Sequence, residues 1–151
     1  MFNLFKKKRI LTPLSEVSRI VDSSTGEPQP KGYPPYAYEF NEPHIRDHIL
    51  AVAVVMEDLQ REGVTNQKCN IYPSYPDAPN VFGALDGQAI HVFVRTARYP
   101  NQPVLESNIA ASAKIMARER NAIAYFAGVG LWPADDKDGC FFVNYRGCQL
   151  I

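Results

Sequence analysis

The sequence has few of the residues and patterns that announce chemistry. Its cysteines are sparse and odd in number: Cys69, Cys140 and Cys148. Their spacing matches no zinc-binding pair, and a secreted disulfide framework needs more of them in even number. They read as reduced thiols of a cytosolic protein. An excess of either charge is missing too, because 16 Lys and Arg balance 16 Asp and Glu. Affinity for phosphate backbones comes largely from a cationic surplus, so neutrality argues against a dedicated nucleic-acid binder without excluding a local patch. The longest apolar run, residues 49–56, is far too short to cross a bilayer. At the N-terminus, a very short apolar patch (Phe2, Leu4, Phe5) precedes the charges of residues 6–9, the reverse of signal-peptide order. A soluble, cytoplasmic protein with a solvated basic terminus is expected. There is no internal repeat, glycine-rich phosphate loop, nucleophile elbow or zinc-finger spacing.

The chain has 151 residues, enough for one domain with a proper core. Its clearest signal is Asp86-Gly87, a two-residue turn whose residues tolerate the positive φ of a type I′ hairpin. Residues 81–85 precede it, and residues 88–96, rich in β-branched and aromatic side chains, follow. Residues 41–63 predict a helix, with Asn41 as N-cap, Pro43 in the first turn and Gly63 just past the end. Ile45, Ile49, Val52, Met56 and Leu59 lie along one side, widened by Val54 and Val55. Glu57, Asp58, Arg61 and Glu62 are assigned to water. A second helix is expected from about residue 106 to 120, capped by Ser107, with Ile109, Ala110, Ala113, Met116 and Ala117 toward a sheet. Strands are expected at 68–72, 122–129, 140–145 and 148–151. Residues 22–38 hold Gly26, Pro28, Pro30, Gly32, Pro34 and Pro35, which exclude a regular helix or central strand. Helices mixed with hairpin and crossover connections give an α/β (α+β) protein with a mixed central sheet flanked by helices.

This order resembles the core of the restriction-endonuclease-like, or PD-(D/E)xK, nuclease fold over roughly residues 42–132. Two stretches carry the resemblance. One is Pro79-Asn80-Val81-Phe82 followed by Asp86-Gly87. The other is Ile90-His91-Val92-Phe93-Val94-Arg95-Thr96, similar to the family's strand ending in an acid, a spacer and a lysine. The resemblance divides the chain into an N-terminal extension with a Pro/Tyr-rich loop (1–41), a nuclease-like core (42–132) and a C-terminal strand segment (133–151). It implies divalent cations held by oxygen ligands against a scissile phosphate. Carried across, the metal-binding aspartate falls on Asn80, the acid on Phe93 and the lysine on Arg95. A neutral amide is a poor cation ligand, a phenyl ring is none, and a guanidinium does not give up its proton. The expectation is therefore a nuclease-like scaffold without cofactor or metal, acting by binding a protein partner or a second copy of itself.

Other readings stay open beside it. A divergent nuclease would use Asp77, Asp86 and Glu106, with Lys114 as its basic partner, and needs them to converge in a cleft. A non-catalytic nucleic-acid binder would gather Arg95, Arg98 and Arg118, with Arg120 and Arg146. His44 and His48 stand four apart on the first helix, spaced to meet a metal on one face, though surface or capping histidines are the simpler reading. His91 reads as a partly buried strand residue. Asp135, Asp136 and Asp138 lack the full pattern of a calcium loop. A small-molecule pocket among Tyr33, Tyr36, Tyr125 and Trp132 has no motif behind it, and packing is the simpler reading of these aromatics.

Overall fold

Asp86 and Gly87 adopt φ of 51° and 80° in the computed structural model, so the hairpin turns as its dipeptide requires. The structure describes residue 11 and residues 18–22, 43–71, 77–133 and 140–151, without the side chains of 18–22, 133, 140 and 141. The elements run β1 (Ser18–Asp22), α1 (Pro43–Arg61), β2 (Thr65–Cys69), β3 (Val81–Leu85), β4 (Gln88–Arg98), α2 (Ser107–Glu119), β5 (Ile123–Pro133), β6 (Cys140–Tyr145) and β7 (Gln149–Leu150). Among the described residues they build one sheet in the order β1-β6-β5-β4-β3-β2, with β7 also on β5. β4 and β5 are parallel and joined through α2; every other pair is antiparallel. This is a mixed α/β architecture with helices flanking a central mixed sheet.

Alternation along β4 separates two cores. Ile90, Val92 and Val94 pack with α1 and with Tyr125, Ala127, Val129 and Leu131 of β5. Phe93 faces the other way, into a smaller cluster with Ile109, Ala113 and Ala117 of α2 and with Ala124. The small side chains of α2 let it lie close to the sheet, as its spacing predicts. α1 is buried more widely than one stripe. Asp47, His48 and Asp58 are buried with the apolar residues, so the assignment of Asp58 to water is wrong. The Tyr145 hydroxyl hydrogen-bonds Asp58 and stands 3.5 Å from Cys148 Sγ, which gives the carboxylate a polar partner inside. Burial pushes the Tyr145 hydroxyl far up, and the Cys148 thiol up to about 12.

Several boundaries differ from expectation for physical reasons. β2 begins earlier than residue 68, and its register shifts where Asn66 takes φ 54°, so no clean alternation marks it. A Cβ at Gly83 would stand 2.6 Å from Val64 Cγ1, and this close approach holds β2 on β3. β5 continues past residue 129 to Pro133 because β6 pairs with it there, Trp132 opposite Phe142. β1, unanticipated by the sequence reading, is an edge strand on β6. Glu106, not Ser107, is the N-cap of α2, and its side chain makes no capping hydrogen bond. The expected cap Asn41 and the 23–42 stretch lie outside the described residues. Pro43 opens α1, and Gly63 follows its end at φ 95°. No helix among the described residues is long and apolar enough to cross a membrane.

Candidate binding cleft

β3 pairs with β4 only as far as Val81 opposite Val92, whereas β5 follows β4 to Arg98. The last residues of β4 thus have one edge in need of another partner, since a buried backbone N–H is costly to leave unpaired. Asn80 provides it. Its Oδ1 accepts the Val94 N–H at 2.8 Å and lies 3.4 Å from Arg95 Nη1. Its Nδ2 donates to the Asn70 carbonyl at 3.2 Å and approaches His48 Nε2 at 3.3 Å. Asn80 is buried, and its main chain is tied to Val92 and Asn70 as well. One short side chain therefore joins α1, the end of β2 and β4.

Because Asn80 Nδ2 donates, His48 accepts through Nε2 and keeps its proton on Nδ1. Burial, and secondarily the charge of Arg95, lowers the His48 pKa to about 4. The imidazole is neutral at physiological pH. His44, one turn earlier, is exposed.

A cleft of about 370 Å³ opens beside this knot. His44, Asp47 and His48 of α1 form one wall, Val94 to Arg98 of β4 the other, and Glu106 closes the end. Arg98 grips Asp47 with both arms of its fork, Nε to Oδ2 at 2.6 Å and Nη2 to Oδ1 at 2.9 Å. These bonds raise the pKa of Arg98 further. Arg95 Nε reaches Glu106 Oε2 at 3.3 Å, and its Nη1 donates to its neighbour's carbonyl at Val94, 3.0 Å away. The cleft therefore holds two guanidiniums, each against a carboxylate, around a neutral His–Asn pair.

The residues present do not fit the divalent cation that the nuclease resemblance implies. A hard cation needs several oxygens. The Asn80 oxygen already accepts from Val94 and faces Arg95, and Asp47 and Glu106 each hold an arginine. Among the described residues, no three His, Cys, Asp or Glu side chains group so as to hold a metal ion. His44 and His48 do share the cleft wall. His48, however, is buried on Asn80 and is not a surface or capping histidine.

Of the three positions that the resemblance transfers, the structure brings Asn80 and Arg95 together. Phe93 is wholly buried against α2, on the sheet face away from α1. The alternative acids do not converge. Glu106 lines the cleft, but Asp77 is exposed outside its lining. Asp86 sits at the hairpin tip, roughly 23 Å along β4 from Arg95 at the rise of an extended strand. Lys114 is exposed on α2. The arginines divide as well. Arg95 and Arg98 line the cleft, Arg118 and Arg120 lie exposed at the far end of α2, and Arg146 belongs to a groove elsewhere. Tyr125 is fully buried on the α1 side, with its hydroxyl accepting from the Leu11 N–H, whereas Trp132 is exposed on the other face. They cannot share a pocket. Tyr33, Tyr36 and the 135–138 aspartates lie outside the described residues. His91 is buried, edge-on to Phe82. The pairing of Asp47 with Arg98 was not foreseen, and no local signal marks two residues so distant in sequence.

Residues 48–151 match the model of a family described as a domain of unknown function (DUF8840). The chain belongs to that family. Its matched segment includes His48, Asn80, Arg95, Arg98 and Glu106, and begins one residue after Asp47. Among solved structures, the chain is similar to Hjc, a Holliday junction resolvase from Archaeoglobus fulgidus. The TM-score is 0.42 at 14% identity, over 63% of this chain and 81% of that one. No curated protein matches the sequence.

Proposed function

We propose that this protein is a restriction-endonuclease-like domain that works by binding, without a metal-dependent phosphodiesterase centre. The succession α1-β2-β3-β4-α2-β5, with an antiparallel hairpin and a parallel crossover, supports the scaffold. The observation that carries the rest is the occupancy of Asn80. At the place where cation chemistry would need a carboxylate, a buried amide spends its oxygen on the Val94 N–H and its nitrogen on Asn70 and His48.

The cleft also favours one kind of partner. Each guanidinium faces a carboxylate, so the cleft presents no cationic surplus to a phosphate backbone. Mixed charge at a half-exposed rim suits another protein surface, either a partner or a second copy of this chain.

Incubating the protein with magnesium or manganese and single-stranded, duplex and branched DNA or RNA tests the first claim. Intact substrates are expected. Metal-dependent cutting that disappears in Asp47→Asn or Glu106→Gln would contradict it. Sedimentation over a range of protein concentrations then separates the partners. Association weakened by Arg98→Glu identifies a second copy, and a monomer throughout removes the second copy as the occupant.

A further inference from the structure

On the sheet face that carries α2, and beyond that helix, β5 and β6 expose their even-numbered residues together. Trp132 stands opposite Phe142, and Gly130 opposite Asn144. Tyr99, just past β4, packs on Trp132 with ring centroids 4.8 Å apart and planes tilted by 54°. Tyr99 is 59%, Trp132 45% and Phe142 42% exposed. Adjoining aromatics left in water mark interaction surfaces more often than scattered single ones do.

A groove of about 350 Å³ runs from Trp132 across the sheet. Four side-chain amides line it: Asn101 and Gln102 from the loop after β4, Asn144 from β6 and Gln149 from β7. No hydrogen bond within the described residues occupies any of the four. The lining guanidinium, Arg146, already has an interaction partner in the protein, and no carboxylate is among the described lining residues. The groove therefore offers rings and amides rather than spare charge. Its floor at Gly130 is open, because an added Cβ would meet the Asn144 carbonyl oxygen only at 3.5 Å, an ordinary contact.

Each of these features selects one part of a ligand. An exposed indole face packs against a flat face of C–H bonds. A side-chain amide is donor and acceptor together, and so is a hydroxyl, so the two match in pairs. Absence of spare charge suits a neutral ligand. A nucleic-acid strand would bring phosphates that need cations to meet them. The 54° tilt between Tyr99 and Trp132 also prevents the two rings from clamping a planar base. A proline-rich peptide presents carbonyls but few N–H groups, so the amide oxygens would go unused. A sugar ring has the C–H face, the hydroxyls and the neutrality at once. We propose that this groove binds a neutral oligosaccharide, with one sugar ring on Trp132 and its hydroxyls held by Asn144 and the loop amides. Residues two apart on one strand face are separated by about 7 Å, so the Gly130 floor takes the next unit. The groove shares no described lining residue with the Asn80 cleft and stands independently of the role given to that cleft.

Trp132 is the single tryptophan of the chain, so its emission reports on the groove directly. The whole protein is titrated with cellohexaose, maltohexaose and chitohexaose, and with a short oligothymidylate and a polyproline peptide as the competing classes. A saturable emission change with at least one hexaose is expected, at higher affinity than with either competitor. Raising sodium chloride about tenfold should leave that affinity unchanged, because a neutral ligand has no charge to screen. Trp132→Ala, followed by calorimetry, should weaken binding about tenfold or more. Asn144→Ala should weaken it about three- to tenfold, and Gly130→Val should block the floor and abolish it. Thermal midpoints establish that each variant is folded. Response to none of the hexaoses, tighter binding of the oligothymidylate or the polyproline peptide, or unchanged affinity in folded Trp132→Ala would overturn the proposal.

Discussion

Asp47 and Arg98 meet through two hydrogen bonds of 2.6 and 2.9 Å, fastening the first turns of α1 to the end of β4. The Asp47 side chain is only 11% exposed, whereas that of Arg98 is 47% exposed. Removing the arginine leaves a nearly buried carboxylate without its main partner. Arg98→Ala is expected to cost about 1–3 kcal/mol, less than a fully buried pair because water reaches the guanidinium side. Removing both charges in Asp47→Ala/Arg98→Ala should cost less than the two single changes added together. Urea unfolding of the four proteins in a double-mutant cycle measures this coupling.

His48 links the same cleft to pH. Its pKa falls from 6.5 in the unfolded chain to about 4 in the fold, so the unfolded state takes up the proton first. The stabilisation from neutral His48 is complete above pH 6.5 and is lost as pH falls toward 4. The loss is on the order of 3 kcal/mol. Urea midpoints between pH 7.5 and pH 4.5 should therefore drop, and His48→Gln should flatten the drop while keeping an acceptor for Asn80. A residual slope is expected from His91, whose pKa is also lowered by burial and by Arg120.

Phe93 tests the register of β4. Its ring is fully buried between the sheet and α2, so Phe93→Ala should cost about 3–5 kcal/mol. Phe93→Glu, the acid that the nuclease resemblance would want there, should prevent stable folding rather than create a ligand. A well-folded Phe93→Glu protein, judged by its thermal midpoint, would show the residue facing the cleft instead.

Gly87 isolates backbone conformation from packing. It has φ 80°, and nothing lies within 4 Å of an added Cβ. Gly87→Ala should therefore cost about 1 kcal/mol through backbone strain alone, readable as a shift in the urea midpoint.

What the sequence discloses divides along these same residues. The hairpin, the Pro43 start of α1 and the Gly63 stop are local, because a dipeptide or a cap decides them within a few residues. The apolar faces of both helices follow from periodicity. Asp47 and Asp58 are hidden because their partners, Arg98 and Tyr145, lie far away in the chain, and a carboxylate read alone belongs in water. β1 is hidden because an edge strand pairs on one side and needs no apolar alternation. The bulge at Asn66 hides the start of β2 in the same way. In the cleft, Asn80 and Arg95 were legible as positions of interest. That the Asn80 amide would serve as a strand partner for Val94 depends on where β3 ends, which only the folded sheet reveals.

The most direct test is a crystal structure of the protein soaked in manganese, with anomalous scattering used to locate the cation. No manganese peak is expected within coordination distance of Asn80 Oδ1, Asp47 or Glu106, and the Asn80 contacts to Val94 and His48 should remain. A peak bound by those oxygens, with Arg98 or Arg95 displaced from its carboxylate, would contradict the reading of this cleft as a site that binds without metal.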